Sequence, residues 1–304
     1  MLPTNMRANV SVSNPSAQYQ TIALVVVSMF CFAVVDALGK AVALNYPANE
    51  VTFFRMLFGV IPALLVSLRG GPLGKRIQNV DLRGQMARAI TLLGASALFF
   101  AGLPYLPLSE AVAIVYSEAI FVVLLAPILL GERLLARNAV AAFAGFLGVL
   151  LVVRPQGSVS NLMGPCLLLA SALCGALSMI QIRKLKVSDD STITVLFFTA
   201  FGTVVTAFSL FFSWRTPTHK DLLTMALLAS FATAGQLLFT VAVRRDSAAK
   251  LAPYTYTSII WATLFGFFVW GETLGVVPVI GIFAIVGSSI AVAIREEPPE
   301  GPAV

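Results

Sequence analysis

The chain has 304 residues, 58% of them hydrophobic and only 11% charged, whereas an ordinary soluble domain carries roughly 25% charged residues. So few charges cannot cover a water-soluble globule of this length, so soluble enzymes, nucleic-acid binders and secreted disulfide scaffolds fit poorly, and most of the chain must face lipid or other apolar helices. The net charge of +6 calls for no acidic or nucleic-acid partner, because membrane proteins keep excess Lys and Arg in their cytoplasmic loops.

A window of about 20 apolar residues marks a membrane-spanning helix. Ten such windows fall at 20–44, 48–68, 85–104, 108–130, 134–153, 160–182, 190–213, 221–243, 248–270 and 275–294. The connections are short and carry turn residues: Asn45-Tyr46-Pro47, Gly70-Gly71-Pro72, Pro104 to Pro107 and Arg154-Pro155-Gln156-Gly157. The run Ile22–Val35 followed by Ala41-Val42-Ala43 has the look of a secretory signal, but it is preceded by the single basic residue Arg7 and reads as the first span. Residues 1–19 and the tail 295–304 are polar or proline-rich and are expected to be disordered.

Basic residues set the orientation. Fifteen of the Lys and Arg residues fall at the N-terminus, the even-numbered loops and the C-terminus, against four (Lys40, Arg154, Arg215, Lys220) on the other side, with Arg55 inside the second span. This bias predicts both termini in the cytoplasm of a cell with an inner (plasma) membrane.

The chain also repeats itself. Gly131-Glu132 ends the fourth span and Gly271-Glu272 ends the ninth, and the same offset carries Tyr116 onto Tyr256 and Phe99 onto Phe239. Residues 20–153 and 160–294 therefore read as two five-helix repeats. Because five is odd, the second repeat enters the membrane from the opposite side. The predicted fold class is an all-α integral membrane protein of ten transmembrane helices in two inverted repeats, an arrangement that places a transported solute near mid-membrane between the halves.

Phe54-Arg55-Met56-Leu57 resembles the aromatic-Arg-x-Leu signature of the drug/metabolite transporter superfamily. Leu130-Gly131-Glu132-Arg133-Leu134, followed by Ala144-Gly145-Phe146-Leu147-Gly148-Val149, is similar to the ending of that superfamily's EamA repeat, and Gly271-Glu272-Thr273-Leu274 with Ile285-Val286-Gly287 repeats it more weakly. The sequence departs from the pattern at Glu118, where many members carry Pro or a small residue. The resemblance implies a basket of ten helices with a cavity lined by helices 1, 3, 4, 6, 8 and 9. It also implies export of amino acids or related metabolites, nearest to YddG-type exporters of aromatic amino acids.

Ionisable residues within spans are costly and mark solute or proton paths. Here they are Asp36, Arg55 and Glu118, with Lys40 nearer the end of the first span. Asp36 and Lys40 stand four residues apart on one helical face, the spacing of an acid–base pair. With Arg55 they make either a structural ion cluster locking the first two helices or a gating element. Glu118 reads as a substrate or proton site, as a partner of Arg55, or as a buried neutral acid. Around it the polar and aromatic candidates are Tyr116, Ser117, Gln236, Tyr254, Tyr256, Trp261 and Ser178, a set that suits a zwitterion with an apolar side chain; each taken alone is also ordinary helix packing. Pro127 and Pro253 are candidate kinks, and Gly131-Glu132 and its copy read as a helix-end device.

Cys31, Cys166 and Cys174 sit in apolar runs and read as small buried residues. With the single His219 and no C-x-x-C there is no set of metal ligands, so no metal or cofactor is expected. The chain lacks H-E-x-x-H, G-x-S-x-G and a phosphate-binding G-x-x-x-x-G-K-[ST], which argues against an enzyme or an ATP-driven pump. The expected unit is a monomer in the lipid bilayer exporting neutral, fairly bulky amino acids, aromatic ones included, or related small metabolites. The alternatives are import or exchange of a nucleoside, sugar or drug-like compound, or, fitting less well, an ion channel.

Overall fold

A computed structural model describes residues 15–71, 73–77, 80–131, 136–153, 159–184, 191–245 and 254–293. The described residues are helical throughout, joined by short turns and loops. In chain order they form α1 (Pro15–Ala43), α2 (Ala48–Arg69), a short α3 (Leu73–Ile77), α4 (Leu82–Gly102), α5 (Leu108–Val115), α6 (Glu118–Leu130), α7 (Ala136–Val153), α8 (Val159–Lys184), α9 (Ser191–Ser209), α10 (His219–Arg245), α11 (Thr257–Trp270) and α12 (Val276–Ala293). Omitting α3 and joining α5 to α6 leaves the ten expected segments. Seven of them are long and apolar enough to cross a bilayer on their described residues alone; α7, α11 and α12 hold shorter apolar stretches. Large apolar side chains such as Ile61, Phe143, Phe208 and Phe283 stay exposed on the outside of the bundle, as expected where the solvent is hydrocarbon.

Three spans differ from the sequence reading in where a helix starts or breaks. α1 starts at Pro15, inside the stretch expected to be disordered. The fourth span is not one helix: it breaks at Tyr116–Ser117, where Ser117 N–H bonds to Ile114 O and Ala119 N–H to Tyr116 O in place of the usual four-residue step. The ninth breaks in the same way at Tyr256, where Ile259 N–H bonds to Tyr256 O. These breaks, not Pro127, interrupt the ladder; Pro127 is accommodated within α6, and Pro253 lies outside the described residues. A tightened turn inside a helix often marks a hinge or a functional site.

Helix ends follow local chemistry. Asp81 caps α4, its side chain accepting from Gly84 N–H at 3.2 Å. α6 and α11 both end on a glycine in the left-handed region, Gly131 (φ 70°) and Gly271 (φ 64°), a conformation that any side chain would strain. The repeated Gly-Glu thus owes its glycine to the backbone.

Packing displays the two-fold relation directly. α4 lies along α8, and its image α10 lies along α1. α2 contacts α10 as α9 contacts α4, and α1 meets α11 as α8 meets α5 and α6. α2 and α9, and likewise α7 and α12, pack on their own counterparts. Even the small contacts recur: a Cβ on Gly94 would touch Cys174 Sγ, and one on Gly235 would touch Cys31. Cys31 is buried as expected, but Cys174, though it faces Gly94, is only partly buried, and Cys166 is exposed.

The α7–α12 seam shows what holds the ends of the two repeats together. A Cβ on Gly281 would stand 2.6 Å from the Gly148 carbonyl oxygen, so the backbones meet directly. Gly281→Ala should therefore lower the melting temperature of the detergent-solubilised protein, at a cost of about 1–3 kcal/mol for the forced separation. Gly287→Ala, with nothing within 4 Å of the new methyl, should be neutral or slightly stabilising because alanine favours helix. Equal melting of the two variants would remove this seam as a tight contact.

Candidate functional site

The two helix breaks face each other at the interface of the halves. The Tyr116 and Tyr256 rings lie 5.1 Å apart. The Tyr116 hydroxyl donates to Thr255 O at 2.8 Å and lies 2.6 Å from Ser258 Oγ, so α5 and α6 are tied to α11 at the positions the repeat makes equivalent. Ser117 and Ser258 are buried beside them, the Ser117 hydroxyl without a hydrogen-bond partner.

Glu118 opens α6 immediately after the break. Its carboxylate leans on α8 where Gly175 leaves room: a Cβ there would stand 2.6 Å from Glu118 Oε2. Among the described residues Glu118 has no hydrogen-bond or ion-pair partner, so the expected pairing with Arg55 is not made. Arg55 instead donates from Nη1 to Ser96 Oγ of α4 at 2.6 Å and lies over the Phe100 ring at 5.6 Å. Asp36, on α1, lies within electrostatic reach of Arg55 but not within 4 Å of it. Tyr116 in turn lies within electrostatic reach of both Asp36 and Glu118. All four side chains are surrounded by protein, yet each keeps some accessible surface.

The remaining candidates gather less closely. Trp261 meets Phe30 edge-on at 5.2 Å, its buried indole N–H lacking a partner. Tyr254 packs with Phe32 and Phe239 around Val25, Met29 and Ala242 of α1 and α10, a packing role. Gln236 is half-buried on α10, one residue after Gly235, which abuts Phe32. Ser178 is buried on α8, one turn beyond Gly175. An apolar groove between α1 and α10, bounded by Leu24, Val27, Leu237 and Val241, lies near the other end of α1 from Asp36 and holds none of these groups.

Lys40 corrects the sequence reading. Its partner is not Asp36 but Glu272, the one ion pair among the described residues, made 232 positions away in the connection after α11. Lys40 Nζ also donates to Leu106 O at 2.7 Å and lies 5.3 Å from the centre of the Trp270 ring. The other Glu272 oxygen accepts the Leu108 N–H at 2.8 Å, satisfying a free donor at the start of α5. Glu272 therefore does more than end a helix; Gly266 leaves space for its carboxylate as Gly175 does for Glu118.

The same end of the bundle is strapped by further bonds between the halves, all missed in the sequence. Tyr46 donates to Asp221 Oδ2 at 2.7 Å, and Asn49 Nδ2 donates to the carbonyls of Ser209 and Ser213. Arg215 donates from its backbone to the buried Glu50 and from its guanidinium to Asn45 O. Local spacing carries no trace of these pairs, since every one joins residues more than 150 positions apart.

A model of the EamA-like transporter family matches this chain twice, over residues 20–154 and 162–294. The chain belongs to that family. It is thus a multi-pass membrane transporter of the drug/metabolite transporter superfamily, not an enzyme, and its substrate is a small molecule. An uncharacterised transporter of Helicobacter pylori (strain ATCC 700392 / 26695) is 27% identical over 288 residues, covering 90% of this chain and 94% of that protein. The pseudopaline exporter of Pseudomonas aeruginosa (strain UCBPP-PA14) is 26% identical over 273 residues, covering 89% and 94%. The S-adenosylmethionine uptake transporter of Rickettsia bellii (strain RML369-C) is 25% identical over 239 residues, covering 78% and 80%. A protein known from a crystal structure superposes with a TM-score of 0.63 at 17% identity, covering 94% of this chain and all of the other, which supports the fold.

The Lys40–Glu272 pair can be tested for its contribution to this end of the bundle. Lys40→Met or Glu272→Gln alone leaves a buried charge without its partner and should destabilise by about 3–5 kcal/mol. The double variant, lacking both charges, should regain much of that loss. Thermal melting of the four proteins in detergent checks it; single variants that melt with the wild type would show that the pair holds nothing shut.

Proposed function

We propose that this transporter exports amino acids or related small zwitterionic metabolites across the bacterial inner membrane by alternating access. One observation carries this reading. Around the helix breaks between the halves, Asp36, Arg55 and Glu118 keep accessible surface with no ion pair closed among them. A guanidinium held by a neutral hydroxyl and an aromatic ring keeps its charge for a carboxylate, and a free carboxylate receives an ammonium group. Sugars would want more hydrogen-bonding groups, and nucleotides several basic residues. Tyr116, Tyr256 and Trp261 supply apolar walls, while Gln236, Ser117 and Ser178 lie on the surrounding helices.

The name of the pseudopaline exporter supports the outward direction. The name of the Rickettsia transporter favours a second reading, uptake through the same site. In alternating access, solute binding shifts the balance between a state closed at the Lys40–Glu272 end and one closed at the other. A monomer suffices, because both halves of the path lie in one chain. Both termini are assigned to the cytoplasm on the bias of basic residues.

Purified protein in liposomes should move amino acids down an imposed gradient, and Arg55→Gln or Asp36→Asn should slow this by about 10- to 100-fold, the range for losing a hydrogen bond to a charged group. Variants that fold and transport like the wild type would remove the site. Gradients imposed in each direction, with and without a pH difference, separate export from uptake and coupled from downhill movement.

Topology has its own check. An alkaline phosphatase fusion after Gly157 should be active, placing the fifth loop in the periplasm. An inactive phosphatase together with an active cytoplasmic reporter at the same position would reverse the orientation.

A further inference from the structure

The charge balance of the interior differs from what the sequence suggests. Two acids and two bases lie in or near the first two helices and α6, and the sequence alone leaves them free to cancel. The structure withdraws Lys40 to Glu272 at the strapped end. Two carboxylates, Asp36 and Glu118, then share the interior with one guanidinium, Arg55.

These three groups are not equivalent. Asp36 and Arg55 form a separated pair of opposite sign, close enough to feel each other and too far apart to bond. The head of an amino acid carries the two charges complementary to this pair, a carboxylate for the guanidinium and an ammonium for Asp36. Glu118 stands apart: its oxygens fill the gap at Gly175 of α8, and among the described residues no Lys or Arg forms an ion pair with it. The Tyr116 hydroxyl cannot relieve it, being committed to Thr255 O and Ser258. Tyr116 lies within electrostatic reach of both Asp36 and Glu118, so the two carboxylates flank the same side chain.

Resting on the amino-acid reading above, we infer that the substrate carries a second cationic group, which Glu118 receives, so the transporter favours amino-acid-type solutes of net positive charge over neutral ones of the same size. A neutral solute leaves Glu118 without an ion-pair partner, so the side chain must either stay a desolvated carboxylate or hold a proton. A cationic one replaces its lost hydration with a charge-assisted hydrogen bond. The preference is a difference between two solutes at one carboxylate, so it tracks the charge at residue 118 rather than the shape of the cavity.

The test uses arginine and citrulline, nearly equal in shape and differing in side-chain charge, as radiolabelled probes with the full-length protein in liposomes at zero membrane potential. The wild type should move arginine at least about tenfold faster than citrulline at concentrations well below saturation, as expected when one solute leaves a buried polar group unpaired. Glu118→Gln should bring the two rates together, arginine falling and citrulline rising. Glu118→Asp, which keeps the charge, should retain the preference. Melting temperatures confirm that the variants are folded; if Glu118→Gln does not fold, loss of the preference in Gly175→Ala, which displaces the carboxylate, takes its place. Equal wild-type rates for the two solutes, or a Glu118→Gln variant that slows both alike, overturn the inference while leaving amino-acid transport standing. If neither these probes nor any other amino acid moves, the amino-acid reading fails and the inference with it.

Discussion

Tyr116 meets Tyr256 at the point where two helices give up their regular ladder, and the rest of the interior is arranged around that contact. In hydrocarbon an unsatisfied backbone group costs several kcal/mol, so a helix can break at this depth only where protein or enclosed water takes up the freed groups. Here the break in the fourth span faces the break in the ninth, and the Tyr116 hydroxyl reaches Thr255 O and Ser258 across the gap. The first repeat thus supplies a donor to a carbonyl beside the other's break. Neither half would present this arrangement alone, and Glu118, the first residue of α6, is placed by it.

Two glycines show how the carboxylates fit. Gly175 on α8 leaves room for Glu118, and Gly266 on α11 leaves room for Glu272. The two acids then meet opposite fates. Glu272 is held by Lys40 and the Leu108 N–H, so its charge ties the connection after α11 to α1 and α5. Glu118 has no such partner among the described residues. One carboxylate closes an end of the bundle, and the other stays available to what enters the middle. Packing of the same kind supports both, and the nearest cation decides between them.

Much of the fold was legible because it depends on local composition. Apolar windows marked the helices, and the recurrence of Gly-Glu and Tyr at one offset marked the repeat, because the same backbone turn and the same interface position recur in each half. The breaks at Tyr116–Ser117 and Tyr256 were not legible. No proline or glycine stands at them, and what stabilises them is each other, a contact between residues 140 positions apart. The site was legible by residue type more than by pairing. Asp36, Arg55 and Glu118 were evident as ions inside spans, but the four-residue spacing of Asp36 and Lys40 suggested the wrong bond. A helical neighbour on a flexible stem competes with any acid the fold brings close, and Glu272, with Leu106 O and the Trp270 face beside it, offers Lys40 a more complete set of contacts.

The strapped end and the open-handed middle also differ in how their energy is distributed. At the strapped end the halves share an ion pair, a hydrogen bond from Tyr46 to a carboxylate, amide donors from Asn49 to two carbonyls, and the Arg215 contacts with Glu50 and Asn45. Each such bond contributes about 0.5–3 kcal/mol, so together they hold this end firmly, yet none is strong enough to make it permanent. The middle holds charges that make no bond to one another and so lowers the stability of the empty protein. A solute that completes the middle restores what the unpaired groups cost, and it can shift the equilibrium only by the difference in its affinity for the two closed states. Many modest bonds at an end, facing unpaired charge at the centre, therefore fit the proposed alternating access: a closure that binding can reverse, around a candidate site that a solute would complete.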